Sequence, residues 1–160
     1  AIFLGYSIGS APIISFHYGA KNDNELKNLF KKSISLIGSW GIMLFVIAQL
    51  IAGPLAKLFV GYNADLFLMT KHGFQIFCFA FLINGFNIFG SSFFTALNNG
   101  LISAAISFLR TLVFQLSVVL ILPMILGING IWISVAIAEL LTLCVTVTCL
   151  IRKRKVYHYI

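Results

Sequence analysis

Five long apolar runs account for most of this sequence, and polar or glycine-containing turns separate them. The runs cover residues 1–18, 33–52, 73–97, 101–126 and 130–151. An α-helix needs about 20 apolar residues to cross a bilayer, and these runs lack the alternation of a membrane β-strand. We therefore expect an all-α polytopic membrane protein, a bundle of five transmembrane helices.

The composition supports a lipid environment. Hydrophobic residues make up 60% of the 160 residues and charged residues only 9%, whereas soluble domains have about 25% charged residues. Too few polar side chains are present to cover a surface that faces water. The net charge of +7 comes from basic residues near the ends of the runs, so we interpret it as a topology signal and expect no nucleic-acid partner.

The basic residues also predict the orientation of the spans. One side of the predicted bundle holds four lysines in the loop 21–32 and four basic residues in the tail 152–160, whereas residues 54–72 on the other side hold two lysines. Because cytoplasmic loops are enriched in Lys and Arg, we expect the loop 21–32 and the C-terminus in the cytoplasm. In this arrangement Gly53-Pro54 ends the second span, and Asn98-Asn99-Gly100 forms a tight cytoplasmic turn.

Polar residues lie on one face of the third span. Asn84, Asn87, Ser91, Thr95 and Asn98 fall within an arc of about 80° when successive residues are placed 100° apart. Polar groups in lipid need partners, so this face is expected to contact protein or water. Two interpretations stay open: the wall of a substrate cavity, and interhelical hydrogen bonds that only hold the bundle together.

The fourth and fifth spans each bury one charged residue, Arg110 and Glu139. Arg110 lies about 14 Å and Glu139 about 18 Å from the cytoplasmic ends of their spans, a difference that an Arg side chain can bridge. A charge within the bilayer costs about 2.5–3.5 kcal/mol, so we predict that the two side chains pair. The pair could relay a proton or cation or act as a gate; the alternative is a structural ion pair, in which the carboxylate keeps its charge.

Small polar residues accompany these charges on the same helix faces. Ser103, Ser107 and Ser117 follow the face of the arginine in the fourth span, and Thr142 and Thr146 follow the face of the glutamate in the fifth. The candidate residues of a substrate or ion pathway are Asn84, Asn87, Ser91, Arg110, Glu139 and Thr142.

The first span contains a glycine pair and a proline. Gly5 and Gly9 have the spacing that permits two membrane helices to approach closely, and Pro12 removes one backbone hydrogen bond. We expect Gly9 and Pro12 to bend this helix. The bend could serve a transport cycle or be a static kink in ordinary packing.

The sequence contains no motif of an enzyme, a metal site or a cofactor site. It lacks a glycine-rich phosphate loop and the zinc-protease and serine-hydrolase motifs, and its three cysteines have no metal-ligand spacing. We therefore expect a protein without enzymatic activity and without a cofactor, and any transport would draw on an ion gradient or on a separate energising subunit.

Three stretches resemble the multidrug and toxic compound extrusion (MATE) transporter family. The first reads GYSIGSAPIISFHYGAKNDNELK and is similar to a recurring span with a proline, followed by a Tyr-Gly-Ala turn and a basic loop. The second reads GFNIFGSSFFTALNNGLISAAISFLRT and resembles a family hairpin. The third reads GINGIWISVAIAELLT and resembles the final span. The resemblance extends over nearly the whole chain, and the order and spacing of the three stretches are more specific than any one of them.

The resemblance implies a twelve-span protein of two halves. This chain would be the C-terminal half without its first span, and the missing N-terminal half of the same chain would be its partner. The family implies a multi-pass antiporter of the plasma membrane that exports cationic amphipathic compounds in exchange for protons or sodium ions by alternating access. Some members place an ion-coupling Asp in the span that corresponds to the third span, where this sequence has only Asn84 and Asn87. Coupling would then reside in the N-terminal half.

Two other functions stay open at this stage. A flippase for a lipid-linked precursor, from the same superfamily, would need a larger and more basic cavity than Arg110 alone suggests. A non-transporting membrane scaffold would use Asn84, Asn87 and Glu139 for stability only.

Overall fold

The computed structural model describes residues 1–159 as five helical rods, and this range contains no strand. Two of the rods are built from consecutive helices. In chain order the elements are α1 (Ile2–Gly19), α2 (Asp23–Val60), α3 (Ala64–Phe77), a 3-10 turn (Cys78–Ala80), α4 (Phe81–Ala96), α5 (Gly100–Phe108), a π-helical segment (Leu109–Gln115), α6 (Leu116–Leu126) and α7 (Ile128–Tyr157). The predicted all-α bundle of five helical rods is confirmed.

Four rods are long and apolar enough to cross a membrane. They are Asp23–Val60, Ala64–Ala96, Gly100–Leu126 and Ile128–Tyr157. The remaining helix, α1, has 18 residues, close to the lower limit of about 17 residues for a transmembrane helix. It is not among these four, so its role as a fifth span stays a prediction.

The helix that contains the second predicted span is longer than that span at both ends. The sequence predicts a loop over 21–32 and a stop at Gly53-Pro54, but α2 begins at Asp23 and continues through Pro54 to Val60. The Asn22 side chain caps the helix by accepting the backbone N–H of Glu25 at 3.2 Å. A proline removes one hydrogen bond, which a helix about 57 Å long tolerates. A helix of this length exceeds a hydrocarbon core of about 30 Å, so its polar start lies outside the core.

Two further segments are more helical than the sequence predicts. Residues 54–72, expected as a connection outside the membrane, consist of the end of α2, a short link and the start of α3. The Asn63 side chain caps α3 by accepting the backbone N–H groups of Asp65 and Leu66. Residues 152–157 of the predicted basic tail likewise belong to a helix, because α7 extends to Tyr157.

The α1–α2 turn, the α4–α5 turn and the C-terminal end of α7 lie at the same end of the bundle. We call it the basic end, because it holds the basic residues of 21–32 and 152–155. The Asn99 side chain, in the α4–α5 turn, donates from Nδ2 to the hydroxyl of Tyr157 at 2.7 Å. The ring centroids of Tyr18, at the end of α1, and Tyr157 lie 5.6 Å apart. The Tyr159 hydroxyl donates to the carbonyl of Leu150 at 2.7 Å, and burial raises the pKa of this tyrosine. The shared end agrees with the span parity that the charge pattern predicts.

The helix α4 is the centre of the bundle and packs against α1, α2, α5 and α7. Its basic-end half buries Phe89, Phe93 and Phe94, and the ring centroids of Phe30 and Tyr159 each lie 5.0 Å from that of Phe93. This aromatic core fixes α4 between its neighbours. The polar residues in the middle of α4 are thereby held against α5, α7 and α1.

Candidate functional site

An ion pair inside the bundle joins the fourth and fifth rods. Arg110 donates to one oxygen of Glu139, Oε1, from Nε at 2.9 Å and from Nη2 at 2.7 Å. The Glu139 side chain is 5% exposed and that of Arg110 is 26% exposed. Their predicted pairing is confirmed, and each charge has its opposite charge inside an apolar environment.

Two asparagines of α4 complete this network. Asn84 accepts from Arg110 Nη2 through Oδ1 at 2.6 Å. Asn87 is fully buried and donates from Nδ2 to the other carboxylate oxygen of Glu139, Oε2, at 2.7 Å and to its backbone carbonyl at 2.8 Å. The Oδ1 atom of Asn87 accepts from the hydroxyl of Thr146 at 3.2 Å. Both carboxylate oxygens therefore have protein donors, as buried charges require.

Close packing of α4 on α7 makes these contacts possible. Gly90 lies one turn beyond Asn87, and the methyl group of Thr146 occupies the space that a Cβ at position 90 would need. A glycine lets the two backbones approach until the short side chain of Asn87 reaches the main chain of Glu139. The network thus depends on a glycine as well as on its polar members.

Arg110 lies in an irregular part of its rod. The segment Leu109–Gln115 is π-helical, a geometry that is rare and frequently occurs at functional sites. The segment contains neither Pro nor Gly, so the sequence gives no local signal for it. Because a π turn takes more residues than an α turn, residues after it are rotated relative to a regular helix.

A cluster of hydroxyl groups extends the polar face of α4 toward the basic end. The hydroxyl of Ser91 shares hydrogen bonds with those of Ser103 at 2.9 Å and Ser107 at 2.8 Å. Thr95 donates to the hydroxyl of Ser103 at 2.7 Å. The polar faces predicted on the third and fourth spans therefore meet, and they hold α4 and α5 together.

A cleft of about 260 Å³ opens between α1, α4 and α5 beside this cluster. Arg110 borders it, together with five hydroxyl-bearing residues: Ser7, Ser91, Ser92, Thr95 and Ser107. Three aliphatic residues form the rest of the lining: Leu4, Ile8 and Ile88. A larger groove of about 530 Å³ lies near Lys27 and Tyr159, but none of the network residues lines it. We therefore take the cleft and the charged network as the candidate site.

Several predicted residues lie outside this site. Thr142 is fully buried, but its hydroxyl donates to the carbonyl of Ala138 in its own helix at 2.8 Å, and Thr146 reaches Asn87 instead. Ser117 follows the π-helical segment and is exposed. A Cβ added at Gly9 would meet no atom within 4 Å, and the same holds for Gly5, so no helix approaches the predicted glycine pair within the described residues. The helix α1 continues through Pro12, and the bend stays a prediction.

Two features of the site were missed from the sequence. Ser7 is 2% exposed, and its hydroxyl has no hydrogen-bond partner within residues 1–159. Ser92 donates to the backbone carbonyl of Ser7 at 3.3 Å, which ties α1 to α4. The spacing of Ser7 and Ser10 on one side of α1 was the available signal.

Within the described chain, no group of three or more His, Cys, Asp or Glu residues could hold a metal ion.

The chain matches one known protein family. The family model of MatE matches residues 1–121, which cover α1 to α5, the π-helical segment with Arg110, and part of α6. No curated protein and no solved structure matches the chain. The apolar rods and the family match identify a multi-pass membrane protein. The chain belongs to the MatE family, whose members are membrane transporters rather than enzymes.

Proposed function

We propose that this chain is part of a secondary active transporter that exports cationic amphipathic compounds in exchange for protons or sodium ions. The observation that carries the proposal is the charged network within the apolar rods, in which Arg110 and Asn87 donate to Glu139 and Asn84 accepts from Arg110. Ionisable residues placed inside a membrane bundle are costly and commonly mark ion or substrate pathways. Family membership supplies the class of transporter.

The network offers a way to couple an ion to a movement. Glu139 connects α7 to the Arg110 segment and to α4. A proton or sodium ion that binds its carboxylate would compete with Arg110 and Asn87 for the same oxygens. Such competition would loosen α7 from α4 and change the packing of the rods, as alternating access requires. The energy source would be the ion gradient, without a cofactor.

The proposed location is the plasma membrane, with residues 21–32 and the C-terminus in the cytoplasm. The support is the excess of Lys and Arg at the bundle end that holds both regions. An N-terminal half of the same protein would complete the central cavity and cover the exposed faces of α1 and α6. The remaining partners would be membrane lipids and the transported cations.

The alternatives make different demands on the site. A flippase for a lipid-linked precursor needs a large basic cavity, and the cleft of about 260 Å³ is bordered by one basic residue, Arg110. A scaffold needs the network for stability alone. The two functions, transporter and scaffold, therefore differ in what a change at Glu139 does to transport by a protein that still folds.

The test is ion-driven efflux, by the full-length protein in liposomes, of a fluorescent cationic dye that also carries a carboxylate group. We expect the wild-type protein to move the dye under an imposed proton or sodium gradient. Glu139→Gln keeps the size of the side chain but removes its charge, so we expect it to lose most of this transport. Thr142→Val is the matched control on the same helix, because Thr142 bonds only to its own helix.

Two results would contradict the proposal. One is the absence of dye movement by a folded wild-type protein under either gradient. The other is a Glu139→Gln protein that is less stable but transports at the rate of the Thr142→Val protein, which is the result that a scaffold role predicts.

A further inference from the structure

Hydrogen bonds fix the guanidinium group of Arg110, but they involve only two of its three nitrogen atoms. Its Nε and Nη2 atoms donate to Glu139 and Asn84. Its third nitrogen, Nη1, has no acceptor among residues 1–159, and the residue borders the cleft between α1, α4 and α5. A fixed guanidinium with free N–H groups is suited to binding an oxyanion, because little side-chain entropy is lost when a ligand binds.

The opposite wall of the cleft supplies a second unused polar group. Ser7 is 2% exposed, and its hydroxyl has no partner in the described part of the chain. A buried hydroxyl without a partner destabilises a protein, so its presence is explained if a ligand completes its hydrogen bonding. Ser7 and Arg110 come from different rods and line the same cleft.

The charges around the cleft favour an acceptor over a cation. No Asp or Glu lines the cleft, and both carboxylate oxygens of the nearby Glu139 are already occupied by Arg110 and Asn87. An ammonium group would therefore find a guanidinium and hydroxyl groups but no free carboxylate. A carboxylate group would find N–H and O–H donors.

We propose that the cleft between α1, α4 and α5 binds the carboxylate group of an amphipathic organic molecule. The carboxylate accepts hydrogen bonds from Arg110 Nη1 and from serine hydroxyls, and the hydrocarbon part packs against Ile8 and Ile88, which also line the cleft. The inference rests on the proposed function, because the bound molecule is the transported one. It narrows the substrate class to compounds that carry a carboxylate beside their cationic group.

The test measures binding of two matched probes, hexanoate and hexylammonium, to the purified full-length protein by titration calorimetry at neutral pH. The probes share a six-carbon chain and differ in the sign of the charge. We expect hexanoate to bind and hexylammonium to show no binding. Equal binding of both probes, or binding of hexylammonium alone, would overturn the inference.

Ser7→Ala separates a binding role from a structural one. Because the hydroxyl has no partner in the unliganded protein, its removal should leave the melting temperature unchanged or raise it. The same change should weaken hexanoate binding about tenfold, since a hydrogen bond to a charged group is lost. Ser39→Ala is the matched control, because the Ser39 hydroxyl is exposed on α2 and bonds only to a carbonyl of its own helix, at 2.9 Å.

A second variant keeps the inference testable if Ser7→Ala does not fold. Arg110→Lys retains the positive charge beside Glu139 but lacks the free guanidinium edge, so hexanoate binding should fall at least about tenfold. Wild-type affinity for hexanoate in either folded variant would refute the carboxylate site. Dye transport without hexanoate binding would refute this inference alone, whereas hexanoate binding without dye transport would refute only the proposed cation export.

Discussion

The helices α4 and α6 are both apolar, yet they occupy opposite environments. Of the most apolar stretch in the rod that contains α4, 39% of the residues are buried, against 6% in the rod that contains α6. The helix α4 buries three phenylalanines and Asn87, whereas α6 has no buried residue. In lipid, apolar side chains gain little from being inside, so polar groups that need partners decide which face is covered.

The largest expected effect comes from removing the charge that α7 presents to α4. Glu139→Ala leaves Arg110 without its partner, and breaking a buried ion pair costs about 3–5 kcal/mol. The free energy of unfolding, measured by denaturant titration in mixed micelles, should fall by roughly this amount. The comparison between α4 and α6 would be weakened if the cost were below about 1 kcal/mol, because the network would then contribute little to holding α4 in the centre.

A double variant serves as the control for this prediction. Arg110→Met with Glu139→Leu removes both charges and replaces them by apolar side chains of similar size. Replacing a buried ion pair in this way is often neutral or stabilising. We therefore expect the double variant to recover most of the lost stability, and a loss equal to that of Glu139→Ala would show that the unpaired charge is not the cause.

A smaller effect is expected at the glycine that brings α4 and α7 together. Gly90→Ala places a Cβ where the methyl group of Thr146 lies, and overpacking of this kind costs about 1–3 kcal/mol. Gly5→Ala is the matched control, because a Cβ there meets no atom within 4 Å. Thermal unfolding of the two variants in the same detergent should differ in sign or size, and equal melting temperatures would contradict the close approach at Gly90.

The sequence was sufficient to predict the helices and the ion pair. Run length identifies membrane helices because lipid imposes both a length and internal backbone hydrogen bonding. The sequence predicts the pair Arg110–Glu139 because each charge is costly alone in the membrane and the two residues lie at similar depths. The hydrogen bonds of Asn84 and Asn87 follow the polar face predicted for the third span, although the sequence could not tell a cavity wall from interhelical bonding.

Other features depend on contacts that no local pattern records. The pair Gly5 and Gly9 has the expected spacing, but close approach occurs at Gly90, because it also depends on what the neighbouring helix presents. A regular helix would place Ser117 on the face of Arg110, but Ser117 follows the π-helical segment and is exposed. The sequence predicts a stop at Pro54, but α2 continues through it to Val60, because a proline removes only one backbone hydrogen bond.

The smallest effect is expected on the lipid-facing side. Leu120 in α6 is 58% exposed, and Leu97 at the end of α4 is 1% exposed. Leu120→Ala should change the free energy of unfolding by no more than about 0.5 kcal/mol, as expected of a surface position, whereas Leu97→Ala should cost about 2–5 kcal/mol because it leaves a cavity. The same chemical change thus measures burial directly when both variants are unfolded in lipid bicelles. A large loss of stability at Leu120 would mean that another part of the protein covers α6. The difference in burial between α4 and α6 would then not hold in the complete protein.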